Sequence, residues 1–336
     1  MKNKRISVLL SAGAVSCVLF LYCTRCTPLS VKPEVPCRAT VVSYNVQTFF
    51  DAVEDGTEFK EFKGSKSRWT EQKYLTRLER LKQTLFNAGE KLTGNKDRLP
   101  DITVLQEVES IRVVEDFCKQ LPSSENYPYA LCPPLASNDA FTTVVLSKYP
   151  IEDFTVHYIH TQDQARLRPL TEAVINLGGG QTPRRLKVFS VHWKSKSGKT
   201  DSNAVRIMQE AQLVQKIADH RRKDANTPFI VCGDFNQPLE EFQQMDSLAV
   251  CWEIETYKTA AGAGMQPGGS YYFEKKWEKI DHIFYEEGYA GLQPADFFVL
   301  YEPPLIHDGT PLRYNVITGE GYSDHLPLAA AFELPQ

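Results

Sequence analysis

Asp234 and Asn236 follow the β-prone run Phe229-Ile230-Val231-Cys232 and a glycine. Side chains two apart on extended chain share a face, so a carboxylate and an amide would point into one cleft at a strand end. That pair suits a base beside a group that orients its water. Turn chemistry alone also puts Asp, Asn and Gly after strands, but the chain repeats the pattern. Asn45 and Glu107 close apolar runs at 39–44 and 102–105. Glu107 there is a hard ligand for Mg²⁺ or Mn²⁺, and Asn45 could hold that carboxylate or touch the ion. His192 ends the run 187–191 and precedes Trp193-Lys194-Ser195-Lys196. A histidine there can donate to a phosphoryl oxygen, with Lys194 and Lys196 adding positive potential. Asp281 lies within the β-prone run 280–284, and Ser323-Asp324-His325 offers the histidine that such a carboxylate would orient, plus a further acid. Arg166 and Arg168 precede a strand beginning at Leu170 and could clamp a phosphate bidentately. His157 and His160 fall on opposite faces of one strand and read as structural. The aromatics Tyr271, Tyr272, Phe273 and Trp277 read as packing rather than as a base-stacking platform.

The elements that must position these groups alternate between strands and helices. Thr70 is a helix N-cap ahead of Tyr74, Leu78, Leu81 and Leu85 at helical spacing, with Gly89 as a stop. A second helix covers 111–121 and a third 202–222, the last placing Val205, Met208, Ala211, Leu213 and Ile217 roughly on one face. Strands are expected at 142–146, 170–177, 186–191, 229–232 and 250–257, then an aromatic strand ending near Asp281. The glycines 178–180 mark a hairpin loop, and a long irregular stretch (302–322) leads into Ser323-Asp324-His325 and a last apolar strand. No repeat or linker divides the body, which reads as a single α/β unit with mixed sheets.

The chain has 336 residues, 42% hydrophobic and 24% charged, enough for a large core. Its net charge is −4, and the first 26 residues carry Lys2, Lys4, Arg5 and Arg25 with no acid, leaving −8 on the rest. An acidic body argues against a dedicated nucleic-acid-binding module but not against an enzyme that needs carboxylates. Residues 1–26 read as an export signal or membrane anchor, with Cys17, Cys23 and Cys26 as lipidation candidates, and 27–38 as a tether to the domain at 39–336. The expected protein is exported, tethered or secreted, and monomeric. The remaining cysteines lack zinc-type spacing; Cys118 with Cys132 and Cys232 with Cys251 bracket connections and are the pairs expected to bridge.

Taken in order, Ser43-Tyr44-Asn45, Leu105-Gln106-Glu107, Ser190-Val191-His192, Gly233-Asp234-Phe235-Asn236, Ile280-Asp281-His282 and Ser323-Asp324-His325 resemble the motifs of the endonuclease/exonuclease/phosphatase superfamily, the deoxyribonuclease I-like phosphoesterases. The resemblance runs from about residue 39 to 334. His192 to Lys196 and Gly321 to Pro327 resemble secreted bacterial endonuclease-like members. It implies a four-layer α/β sandwich, two mixed β-sheets face to face with helices outside. It also implies roles: Glu107 as principal metal ligand with Asn45 close by and Asp324 assisting, Asp234 activating water, and Asn236 positioning water or phosphate. His325, held by Asp281, and His192 would stabilise phosphoryl oxygens or protonate the leaving group. The same core serves DNA, RNA, phosphoinositides and sphingomyelin. Arg166, Arg168, Lys194, Lys196 and Lys199 near one rim favour a nucleic-acid substrate. A lipid- or inositol-phosphate phosphoesterase is the second reading, and a binding protein that lost catalysis the third.

Overall fold

The computed structural model describes residues 38–135, 139–159, 167–178, 183–196, 202–262, 264 and 266–334. Residues 1–37, expected to form the export signal or anchor and the tether, lie outside the described residues, as do His160, Arg166 and Lys199. In chain order the strands are β1 (Arg38–Phe49), β2 (Ile102–Val108), β3 (Tyr129–Leu131), β4 (Thr142–Ser147), β5 (Ile151–His157), β6 (Leu170–Asn176), β7 (Arg185–His192) and β8 (Phe229–Asp234). There follow β9 (Ala249–Val250), β10 (Tyr271–Phe273), β11 (Lys276–Glu278), β12 (Asp281–Tyr285), β13 (Gln293–Val299), β14 (Ile306–His307), β15 (Thr310–Pro311) and β16 (Leu328–Glu333). The helices are α1 (Glu71–Thr93), α2 (Ile111–Gln120), α3 (Ser202–Lys223) and α4 (Glu255–Gly262).

Two six-stranded sheets carry the fold, one ordered β13-β16-β1-β2-β4-β3 and the other β5-β6-β7-β8-β12-β9. Each holds one parallel pair, β1 with β2 and β7 with β8, among antiparallel neighbours. A parallel pair cannot be closed by a tight turn and needs a crossover. Here α1 connects β1 to β2, and α3 connects β7 to β8. The inner faces meet where β1 and β2 pack on β8, and β2 and β4 on β7. α1 lies against β1 and β16, and His220 of α3 packs on Phe189 of β7 and Phe229 of β8, so helices cover both outer faces. This is the expected α/β sandwich. Both parallel pairs deliver their C-terminal ends to the same rim, and the chemistry gathers there.

Local rules explain most elements. Thr70 caps α1, its hydroxyl accepting from the Lys73 N–H, and Tyr74, Leu78, Leu81 and Leu85 are buried as their spacing requires. The helix does not stop at Gly89, however. A Cβ there would sit 1.9 Å from the Arg98 carbonyl oxygen, so Gly89 permits a close approach within the helix, and Gly94 (φ +73°) ends it. On α3, Val205, Leu213, Ile217 and His220 are buried while Met208 and Ala211 are exposed; Arg206, Gln209 and Glu210 take the other buried positions. They do so because they bond loop backbone: Gln209 accepts from the Lys194 N–H, and Glu210 from those of Gln243 and Gln244. The span 250–257 is not one strand. It holds the end of β9, a turn of 3₁₀ helix and the start of α4, which seats Trp252 and Tyr257 against Phe297. No disulfide joins Cys118 to Cys132 or Cys232 to Cys251. The Cys118 thiol lies on the Tyr127 carbonyl, and burial raises the thiols of Cys232 and Cys251, keeping them protonated within the core.

Candidate active site

Pairing in the second sheet sets His192 opposite Asp234, and Asp234 opposite Asp281, so three strands place these residues on one rung. β12 runs antiparallel to β8, which is why Asp281 opens its strand at the rim where Asp234 closes its own. Gly233 is required just before: a Cβ at its φ of +148° would sit 2.0 Å from the Val191 carbonyl oxygen of the neighbouring strand.

The first sheet closes over this rung. The Asn45 amide donates to Asp234 Oδ2 at 2.9 Å. Asn45 and Glu107 do not end their strands, because β1 and β2 continue past them through an irregularity that shifts the register between Asn45 and Phe49 and between Leu105 and Val108. Gln47, Thr48 and Glu107 take positive φ there (+51°, +45° and +63°), and Asn236 does so across the cleft (+52°). Such a backbone costs non-glycine residues free energy and re-aims side chains, as bulges beside active sites do. One Glu107 oxygen accepts from the Thr48 N–H at 2.6 Å; the other lies 3.9 Å from His192 Nε2.

His325 completes the cluster. Its Nδ1–H donates to Asp281 Oδ2 at 2.8 Å, and the Ser270 hydroxyl donates to the same oxygen at 2.6 Å. Its Nε2 faces Asp234 at 3.9 Å and Asp324 at 4.0 Å, while His192 Nε2 is 3.6 Å from Asp234. Tyr271 lies on the His325 ring, with centroids 4.7 Å apart. The Asn236 N–H holds the other Asp234 oxygen (2.9 Å), and its amide donates to the Trp193 carbonyl.

Electrostatics separate these groups. Burial, then the Asp281 charge, push the Asp234 carboxyl up to about 7. Burial works against a charged His325, but Asp281, its hydrogen bond, Asp234 and Asp324 outweigh it and raise the imidazole to about 10. His192 goes the other way: burial, then Arg168 and His325, hold it well below its ordinary value. Arg168 donates to His192 Nε2 at 2.8 Å, which leaves the proton of the neutral ring on Nδ1.

Oxygens and nitrogens of Asp234, Asp281 and His325 lie within 4.8 Å of one another and could in principle hold an ion. Hydrogen bonds among them and with Ser270, Asn45 and Asn236 take up Asp281 Oδ2, His325 Nδ1 and both Asp234 oxygens. The imidazole raised to about 10 keeps a proton on Nε2 that repels a cation, although Asp281 Oδ1 has no partner. Glu107 fits better. It is about one-fifth exposed and keeps one oxygen without a hydrogen-bond donor among the described residues. The resemblance pairs it with Asn45, whose side-chain oxygen accepts from the Gln47 N–H at 3.0 Å, and with Asp324, an all-oxygen set of the kind a hard divalent cation takes.

All eight residues expected in catalysis or metal binding therefore come to this rim, and Arg168 joins them. Lys196 does not: its ammonium pairs with Glu241 at 3.1 Å. Lys194 enters through its backbone, whose N–H meets Gln209 and whose carbonyl accepts from Arg206. Several supports were not anticipated. Gln47 Oε1 accepts from the Asp324 and Tyr314 N–H groups, and the Ser323 hydroxyl donates to the Asn45 carbonyl. Only Gln47 left a trace in the sequence, two residues after Asn45 on the same face of the run. Of the aromatics, Tyr272 and Trp277 pack together as expected, while Phe273 is half exposed and stacks on Tyr271.

Comparison with known proteins agrees with this fold. A family model described as endonuclease/exonuclease/phosphatase matches residues 40–332. Among solved structures, truncated Caenorhabditis elegans TDP2 superposes with a TM-score of 0.56 at 16% identity, covering 88% of this chain and 97% of that one. D. rerio TDP2 complexed with single-strand DNA product gives 0.54 at 17% identity, covering 88% and 98%. The human nocturnin catalytic domain with a bound sulfate anion gives 0.53 at 15%, covering 89% and 95%. No curated protein sequence matches the chain. At such identities the structures speak for the fold alone, but the family model spans nearly the whole described body, and the chain belongs to the endonuclease/exonuclease/phosphatase family.

Proposed function

We propose that this protein is a divalent-metal-dependent phosphoesterase that hydrolyses nucleic-acid phosphodiester bonds with little sequence preference. The observation that carries the reading is the single rung of His192, Asp234 and Asp281, closed from the opposite sheet by Asn45 and Glu107. Glu107, with Asn45 and Asp324, would hold Mg²⁺ or Mn²⁺. When bound, the ion supplies a Lewis acid that offsets charge on the phosphoryl oxygens. Asp234 takes the proton of the attacking water; its affinity near neutrality suits that task, and Asn45 and Asn236 fix its two oxygens. His325, cationic against Asp281, donates from Nε2 to a phosphoryl oxygen or to the leaving group. A phosphoryl oxygen arriving between Arg168 and His192 would take the Arg168 donor and receive a second hydrogen bond from His192 Nε2 once the ring changes tautomer.

Nucleic acid is favoured over a small inositol phosphate because the basic side chains that touch the rim among the described residues, Arg168 on His192 and Arg313 beside Asp324, come from separate elements rather than from a converging basic pocket. The D. rerio TDP2 complex with single-strand DNA product lends support. The export and tethering of residues 1–26, and a monomeric state, belong to the same proposal; cell fractionation with radiolabelled lipid precursor, and sedimentation, test them.

The deciding assay sets the purified protein with Mg²⁺ or Mn²⁺ against plasmid DNA, RNA, sphingomyelin and inositol phosphates. Nicking of DNA or RNA that chelator and Glu107→Gln both abolish is the expected result. Full activity after exhaustive chelation would remove the metal from the reading, and cleavage of sphingomyelin or inositol phosphates alone would move the substrate to lipids. Arg168→Met should weaken nucleic-acid binding and flatten the slope of log K against log salt by about one unit, whereas Lys196→Met, already paired with Glu241, should change it far less.

A further inference from the structure

A second carboxylate cluster lies beside the catalytic rim and takes no part in the reading above. Oxygens of Asp55, Glu58 and Glu109 lie within 4.8 Å of one another. Glu109 is fully buried and Glu58 nearly so. Cations nearby are engaged elsewhere: Arg112 pairs with Asp51 at 2.6 Å, and the Lys63 ammonium donates to the Gly56 carbonyl at 2.8 Å. Among the described residues no ion pair reaches Asp55, Glu58 or Glu109. Glu58 spends its oxygens on the N–H groups of Asp55 (2.6 Å) and Gly56 (2.9 Å), and Glu109 Oε2 accepts from the Asp51 N–H at 2.6 Å. Glu109 Oε1 is buried in the same cluster with no hydrogen-bond partner.

A buried carboxylate oxygen with no donor is costly, and two like charges beside it add to the cost. Either a proton or a cation must offset it. We propose that Asp55, Glu58 and Glu109 form a structural calcium site, separate from the catalytic centre, that pins the acidic loop after β1 to the end of β2. The donors are all carboxylate oxygens, and two of them come from an irregular loop. Ca²⁺ accepts six to eight oxygens in such settings, whereas Mg²⁺ demands a regular octahedron and keeps its waters. The loop so held also covers an aromatic cluster of Phe50, Phe62 and Phe141, so the ion would fasten the outer wall of the cleft rather than act on substrate.

Because Glu109 follows Glu107 by two residues, the test must keep the two sites apart. The full chain, stripped with chelator, is titrated with calcium alone by calorimetry and followed by thermal unfolding, as wild type, Glu107→Gln, Asp55→Asn and Glu58→Gln. Expected is binding of calcium by wild type and Glu107→Gln alike, with Kd of about 10⁻⁶ to 10⁻³ M. With calcium about a hundredfold above that Kd, both should gain several degrees in Tm. Asp55→Asn and Glu58→Gln should bind at least about tenfold more weakly, since each removes one charged ligand. In chelator Glu58→Gln should unfold at or above the wild-type temperature, because like charges have been relieved. Absence of calcium binding by Glu107→Gln overturns the proposal. So does unchanged affinity in both loop variants, or a Glu58→Gln loss of stability that is equal with and without calcium, which would leave only its backbone hydrogen bonds and a protonated Glu109.

Discussion

Asp234 sits under opposed demands: burial and Asp281 favour its neutral form, while Asn45, the Asn236 N–H and His325 favour the carboxylate. A group balanced in this way can take and release a proton near neutrality, and its size must be kept if the role is to be isolated. Asp234→Asn should lower kcat by about 10²–10⁴ with an unchanged fold, checked by steady-state kinetics and circular dichroism. His325 and Asp281 share one hydrogen bond at 2.8 Å, so His325→Ala and Asp281→Ala should each cost most of what the double variant costs. Multiplicative losses would show two independent groups. Gly233→Ala tests the backbone alone. With a Cβ 2.0 Å from the Val191 carbonyl, it should destabilise by more than about 2 kcal/mol in urea unfolding, as only a disruption of the β7–β8 pairing would.

Among the elements, β1 has the most to reconcile. Its first half pairs regularly with β2, and its second half bends through the positive-φ residues Gln47 and Thr48. Arg77 of α1 holds that bend. Fully buried between Phe49 and Tyr314, its guanidinium donates to the carbonyls of Val46, Gln47 and Thr48 at 2.5–2.8 Å. Burial lowers it to about 10, which still leaves it charged at neutral pH. Arg77→Met keeps bulk but strips the donors. It should cost about 3 kcal/mol in denaturant unfolding, the scale of orphaned buried carbonyls. It should also reduce kcat, because Gln47 carries the Asp324 N–H and its position depends on this bend. A stability loss without any change in turnover would detach the bend from the site.

For the molecule as a whole, the interior fixes protonation states as firmly as it fixes packing. His282 is fully buried between the Trp252 N–H, which donates to Nδ1, and the Gln237 carbonyl, which accepts from Nε2–H. The ring is satisfied only when neutral, and burial lowers it to about 4. The unfolded chain binds a proton below about 6.5 that the folded chain refuses, so this stability is full above 6.5 and drains as pH falls toward 4, by about 1.4 kcal/mol per unit. A His282→Gln variant has no such proton to exclude. Its stability gap to wild type should therefore narrow by about 2 kcal/mol between pH 7 and pH 5 in guanidinium titrations. A gap independent of pH would mean that His282 titrates normally.

Residue type and spacing were enough to nominate Asn45, Glu107, His192, Asp234, Asn236, Asp281, Asp324 and His325, because strand runs ending in polar residues are local patterns. Local pattern also located α1, through its Thr70 cap and apolar spacing, and the extent of α3, although Met208 and Ala211 proved to lie off its buried face. Tertiary structure decided what lies beyond a few residues' reach. The one-rung alignment of His192, Asp234 and Asp281 depends on register between strands up to 89 residues apart (192 to 281), and the Asn45 contact on the packing of two sheets. Gly89 looked like a helix stop because its reason, the Arg98 carbonyl, comes from a segment folded back against the helix. Lys196 looked available until Glu241 was brought beside it. Charge and hydrophobicity belong to a residue, whereas burial, which sets Asp234 near 7 and holds His192 well below its ordinary value, belongs to the folded chain.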